Sequence, residues 1–147
     1  MILTIVQARM GSTRLSGKVL REVNDKPLIQ ILLYRLSLAK RIDKIILATS
    51  KSSENDKLTE FVEKLGFDVF RGSEEDVLER YYYAAKSYRP DTVVRITGDC
   101  PIIDPILVDQ VIDFYLKNNV DYVNNTEPSS FPDGLDTEVF SFKTLET

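Results

Sequence analysis

The chain has 147 residues, with 23 Asp and Glu against 19 Lys and Arg, one cysteine and no histidine. That length suits one domain burying about 68–70% of its unfolded surface; the lone Cys100 excludes an internal disulfide, and the lack of histidine excludes the usual zinc sites, so a metal would be held by oxygen. A formal charge of −4 argues against nucleic-acid or membrane partners, and no apolar run approaches the roughly 20 residues of a spanning helix or forms a targeting leader, so a cytoplasmic protein acting on small molecules is expected.

The apolar run Ile2 to Val6 reads as a buried strand, and the stretch Gln7 to Leu20 leaves its end. This stretch holds three permanent cations, Arg9, Arg14 and Lys18, with Gly11, Gly17, Ser12 and Thr13, and no acid. Glycines that reach positive φ let successive N–H groups turn toward an anion, and the cations neutralise its charge. Arg14 suits bidentate contact with phosphate oxygens, and Lys18 supplies a point charge. A P-loop is excluded, because five residues separate Gly11 from Gly17 and Val19 follows Lys18; two glycines six apart also fail the dinucleotide fingerprint. The expectation is a polyphosphate loop of another kind, set against a plain basic surface turn.

Further along, Pro27 opens a helix to about Lys40 with Leu28, Leu32, Leu36 and Ala39 on one stripe, and Ile45 to Ala48 is a second strand. Ser53 with Asp56 reads as a capping box for a helix showing Leu58, Phe61, Val62 and Leu65 and stopping at Gly66. Phe67 to Phe70 is a third strand with Arg71-Gly72 as its exit. Ser73 with Asp76 reads as the cap of a helix buried through Val77, Leu78, Tyr81, Tyr82 and Ala85. Thr92 to Ile96 is a fourth strand, Asp104-Pro105 caps a helix with Leu107, Val111, Phe114 and Tyr115 inward, and Asp121 to Val123 is a fifth. The segment from Asn124 to Asp136 has no period and reads as a functional loop, Val139 to Phe142 as a short strand, and a further helix starts near the last residues. Strands alternating with helices imply an α/β fold, a three-layer α/β/α sandwich with a mainly parallel sheet.

In such sheets ligands sit beyond the carboxyl ends of the strands, which brings the first loop and Thr97-Gly98-Asp99-Cys100-Pro101 to one crevice. Asp99 is the metal candidate, since Mg²⁺ takes one or two protein carboxylates with phosphate oxygens and waters; the alternative is an Asp that only caps its turn. Asp136, in a cluster with Asp133 and Glu138, is either a second metal ligand, a group orienting an acceptor, or a solvated loop acid. Arg95, on an apolar strand, pairs with one of these acids or contacts substrate.

Ala8-Arg9-x-x-Ser12-x-Arg14-Leu15-x-Gly17-Lys18-x-Leu20, Lys26-Pro27-Leu28, Ala48-Thr49, Arg71-Gly72-Ser73, Gly98-Asp99-x-Pro101 and the run from Pro132 to Phe140 together resemble the SpsF-type cytidylyltransferases of spore coat polysaccharide biosynthesis, relatives of the CMP-KDO and CMP-sialic acid synthetases. The resemblance implies the nucleotide-diphospho-sugar transferase fold and transfer of a cytidylyl group from CTP, with Mg²⁺, to a sugar, sugar acid or related small acceptor, releasing pyrophosphate. It implies that Arg14 and Lys18 hold the triphosphate and carry the catalytic charge, that Ala8, Arg9, Gly11 and Ser12 lie at the nucleotide, and that Asp99 binds magnesium. The segment from Arg71 to Arg80 is implied at the base. Ser16 stands where such proteins usually have proline and Asp25 where many have glycine. They usually run well beyond 147 residues and often form homodimers. Two other readings are a nucleotide-binding module without catalysis and a glycosyltransferase-like binder of sugar nucleotides; the latter would want an Asp-x-Asp motif, which Asp99-Cys100-Pro101 does not supply.

Overall fold

The computed structural model describes residues 1–11 and 13–147. Six strands form one sheet: β1 (Ile2–Gln7), β4 (Lys44–Ser50), β5 (Asp68–Gly72), β6 (Thr92–Thr97), β7 (Tyr122–Asn124) and β8 (Glu138–Ser141), in the spatial order β5-β4-β1-β6-β8-β7. β1 lies between β4 and β6, parallel to both, and β5 is parallel to β4. β8 is antiparallel to both β6 and β7, pairing Arg95 with Glu138 and Val123 with Val139. The mainly parallel α/β sandwich is therefore the observed fold.

Both faces of the sheet are covered, which is why the central strands read as unbroken apolar runs rather than alternating ones. On one face α1 (Leu28–Leu36), α2 (Asp56–Lys64) and α4 (Pro105–Lys117) pack on Val6, Leu47, Val94 and Ile96. On the other, α3 (Val77–Lys86) and the short α5 (Phe142–Glu146) cover Leu3, Ile5, Ile46 and Val93. Ile29, Leu32, Leu33 and Leu36 of α1 are all fully buried, each contributing about 1.5–3 kcal/mol by the area it withdraws from water.

Several boundaries differ from the sequence expectation. α1 stops at Leu36 instead of Lys40, because Asp109 of α4 accepts hydrogen bonds from the Lys40 and Arg41 N–H groups and turns the chain aside. Ser53 does not cap α2. It sits in a 3₁₀ turn, Ser53–Asn55, and the Asp56 carboxylate binds Arg71. Arg71 and Gly72 belong to β5, and the α3 cap is Asp76, accepting from Glu79 N–H, while Ser73 Oγ accepts from Asp76 N–H. Leu78 and Phe114 face solvent; Arg80 and Ala84 of α3, and Val108 and Ile112 of α4, take the inward positions. Between β1 and α1 a two-residue hairpin, β2 (Glu22–Val23) with β3 (Lys26–Pro27), turns at Asn24 and Asp25, both at positive φ, as a tight hairpin requires.

Candidate functional site

The first loop is a closed structure rather than a slack connection. Gly17 N–H donates to Met10 O at 2.9 Å, and Gly17 takes φ 68°, a left-handed conformation that suits glycine and starts the 3₁₀ turn Lys18–Leu20. Met10 N–H donates to Asn55 Oδ1 at 2.8 Å, and Asn55 Nδ2 donates to Ser50 Oγ at 2.7 Å. The fully buried Asn55 thus ties the loop after β1 to the loop after β4. In the sequence Asn55 shows only as a side-chain amide next to a helix start, a residue type that competes for backbone partners.

Gly11 differs from the expected role. It does not adopt positive φ, and a side chain there would meet only the carboxylate end of the exposed Glu54, which can swing aside. Gly98, on the facing loop, serves close approach. Its N–H donates to Gln7 O at 2.7 Å, and a Cβ would lie 2.6 Å from Ala8 Cβ. The ends of β1 and β6 are therefore drawn together at Ala8 and Gly98.

This closure brings most of the expected residues to one open cavity of about 300 Å³. Its floor is the end of the sheet, where Gln7, Arg95 and Thr97 share the face that carries Leu3, Ile5 and Val93. Its wall is the first loop, with Ala8, Arg9, Gly11, Arg14 and Lys18, and Asp99 closes the far side. Arg9, Arg14 and Lys18 face one carboxylate, and Arg95 is paired with Glu138, so the cavity lining is net positive within an acidic protein. Lys18 Nζ stands 4.0 Å from Asp99 Oδ2, with both side chains partly exposed. Burial acts to raise the Asp99 carboxyl, but hydrogen bonding to Thr97 and the charge of Lys18 outweigh it and hold the group below its ordinary value. Asp99 is thus a ready anion at neutral pH.

Cys100 is buried, and its thiol is pushed up by that burial, with the Asp99 and Asp136 charges adding to the effect. Asp136 is not among the residues lining the cavity. Among the described residues no three Asp, Glu or Cys side chains assemble into a metal cluster. A magnesium ion bound mainly by phosphate oxygens and water asks for only one or two protein carboxylates, which Asp99 fits.

Two expectations fall elsewhere. Ser12 lies outside the described residues. Arg71 is not brought to the cavity: its guanidinium donates to Ser50 O, to Ser52 O and to Asp56, so it fastens the β4–α2 turn. Arg95, by contrast, both pairs with Glu138 and lines the cavity.

The family model described as cytidylyltransferase matches residues 3–147. The chain belongs to the cytidylyltransferase family. It is 43% identical over 125 residues to the spore coat polysaccharide biosynthesis protein SpsF of Bacillus subtilis, covering 82% of this chain and 52% of that one. It is 35% identical over 119 residues to the 8-amino-3,8-dideoxy-manno-octulosonate cytidylyltransferase of Shewanella piezotolerans, covering 78% and 47%. A solved cytidylyltransferase from Leptospira borgpetersenii superposes with a TM-score of 0.94 at 38% identity, over 99% of this chain and 62% of that one. The chain spans about half the length of these curated relatives. This cytidylyltransferase-family chain itself supplies Arg9, Arg14, Lys18 and Asp99 to the cavity. No helix among the described residues is long and apolar enough to cross a membrane.

Proposed function

We propose that the protein transfers a cytidylyl group from CTP to an oxygen of a sugar or sugar acid, with release of pyrophosphate. The observation that carries this reading is the cavity in which Arg9, Arg14 and Lys18 of one closed loop face Asp99 across the ends of β1 and β6. Family membership supplies the nucleotide and the reaction type, and the Shewanella relative, named for an octulosonate substrate, supports the acceptor class. A soluble nucleotide pool as substrate source fits a cytoplasmic location.

In this reaction the acceptor oxygen forms a bond to the α-phosphorus while the bond from that phosphorus to pyrophosphate breaks. The barrier is one of alignment and charge, because negative charge builds on the departing pyrophosphate. Arg14 and Lys18 stabilise that charge from the loop side, and no histidine base is required. Fixing the loop at Met10 through Asn55 keeps these cations from having to reorganise during the reaction. Asp99 would hold Mg²⁺, which neutralises phosphate charge when bound.

The test is pyrophosphate release from CTP and Mg²⁺ over a panel of sugars, sugar acids and phosphorylated acceptors. Release is expected with at least one sugar acid, and Lys18→Ala is expected to lower the rate about 10²–10³-fold, the loss usual for one preorganised donor. Neither release nor CTP binding under any of these conditions would contradict the reading.

A further inference from the structure

The outer side of α1 and α4 carries large apolar side chains in the open. Tyr34 on α1, Leu38 just past its end, Ile102 ahead of α4, and Ile106 and Phe114 on it are all more than half exposed. Arg35 Nε donates to Ile103 O at 2.7 Å, the Lys40 and Arg41 N–H groups donate to Asp109, and Arg41 pairs with Asp113 at 2.8 Å, so the two segments lie side by side and run the same way. The apolar residues flank one seam. Tyr34 and Leu38 are four residues apart and Ile106 and Phe114 eight, spacings that hold each pair on one side of its helix. In the same layer α2 is the contrast: it turns Lys57, Glu60, Glu63 and Lys64 outward, and none of its large apolar side chains is exposed.

Five such side chains present on the order of 500 Å² of apolar surface, the scale at which a contiguous patch marks an interaction site. The flanking charge is divided between the two segments. From Leu28 to Ile42 the chain holds Arg35, Lys40 and Arg41 and no acid; from Asp104 to Lys117 it holds Asp104, Asp109 and Asp113 against Lys117 alone. One side of the seam is basic and the other acidic. A two-fold axis at the seam lays the α1 side of each copy on the α4 side of the other, so this face is complementary to itself in charge as well as in apolar surface.

We infer that this face docks a second copy of the chain, in a two-fold dimer whose centre is the five apolar side chains and whose rim pairs the basic side of one copy with the acidic side of the other. A stable interface buries about 800 Å² on each partner, so the apolar seam fills the middle and the charged residues supply the remainder, an apolar core within a polar rim. Tyr34 and Phe114, the two aromatic rings, are the anchors. A partner of one charge sign, such as a nucleic acid or an anionic membrane, matches only half of the seam. The floor of the anion cavity lies on the opposite face of the sheet, so the contact leaves both cavities open and forms without nucleotide.

The experiment is sedimentation velocity of the chain, without nucleotide, from about 1 to 100 µM, the range of a modest interface. The mass is expected to rise toward twice the 16.8 kDa of one chain. Tyr34→Glu sets an acid against the acidic side of the other copy, and Phe114→Lys sets a cation against the basic side in a last helical turn that favours one. Each is expected to weaken the dimer at least ~10-fold, as loss of an anchor does, whereas Leu78→Glu, at an exposed leucine on the opposite face, leaves it unchanged. Lys40→Glu is expected to weaken it about 3-fold or more through the rim, and Lys57→Glu on α2, the same change of net charge, to have no effect. Thermal unfolding near the wild-type temperature separates these losses from misfolding; if either anchor variant unfolds, Tyr34→Gln or Phe114→Gln takes its place with the same expected direction. A chain that stays at the mass of one copy throughout, a dimer that survives either folded anchor variant, one weakened as much by Leu78→Glu, or equal effects of Lys40→Glu and Lys57→Glu would overturn the proposal.

Discussion

At the scale of single residues, the site depends on places where a side chain is missing. Gly98 lets the β6 exit lie against Gln7 and Ala8, and a methyl group there would begin 2.6 Å from Ala8 Cβ and 2.8 Å from Gln7 O. Both contacts are near-backbone, so neither can swing away. Gly98→Ala is therefore expected to cost about 1–3 kcal/mol in a denaturant titration, as overpacking does, and to weaken CTP binding by parting the two loops. Unchanged stability and binding would show that the strand ends are not coupled through this contact. Asp99 was legible in the sequence because Gly98 and Pro101 set it in a turn at the carboxyl end of a strand, where sheets of this kind bind ligands. Gly11 has no positive φ, because a sequence marks the missing side chain without marking the backbone angle the fold adopts there. Asn55 is not legible for a related cause: its value lies in a partner, Met10, that is 45 positions away.

At the scale of elements, patterning exposed the strands and helices but not their ends or their smallest members. Two-residue strands such as β2 and β3 carry no period, and α1 ends early through Asp109, a residue of a different helix. The inward face of α3 was misjudged at Leu78 and Arg80 because its aliphatic stem lets an arginine take a buried position. Just past α3, Arg89 holds φ 50° while its N–H donates to Ala85 O at 3.1 Å. A left-handed L-residue costs about 1–2 kcal/mol, partly offset by the greater freedom glycine has when unfolded, so Arg89→Gly is expected to stabilise the fold by about 0.5–1 kcal/mol, read as a rise in Tm. A fall in Tm would mean that the arginine side chain makes a contribution exceeding its strain.

The edge of the sheet offers a pH-dependent counterpart. Asp68 of β5 is 2.8 Å from Lys44 Nζ of β4 and accepts from Tyr88 OH, and hydrogen bonding to Lys44, then to Tyr88, holds its carboxyl below the ordinary value. A depressed carboxyl stabilises the fold above its unfolded pKa of about 3.9 and loses that contribution as pH falls through the lower folded value. The pair is half exposed, so the effect is below about 1 kcal/mol. Asp68→Asn is expected to flatten the acid limb of the stability profile below about pH 4 while changing it little in shape at neutral pH. An unaltered acid limb would remove Asp68 from the account.

For the whole molecule, the arrangement follows from a mainly parallel sheet with helices on both faces, which places the cation-lined cavity at the carboxyl ends of β1 and β6. The sequence placed Arg9, Arg14, Lys18 and Asp99 at such ends, and the fold brings all four to one cavity. What the sequence could not show was which face of the sheet the cavity opens on, because that depends on α3 and α5 covering only part of the surface carrying Arg95 and Thr97. The central claim is that this cavity recognises CTP. It is tested most directly by calorimetric titration of the chain, with Mg²⁺, against CTP, UTP, ATP, GTP and dTTP in parallel with an Arg14→Ala variant. CTP is expected to bind tightest, and the variant to lose about 10-fold or more of that affinity, the worth of one charge-assisted contact. Equal binding of all five nucleotides, or CTP binding that survives loss of Arg14 unchanged, would contradict it.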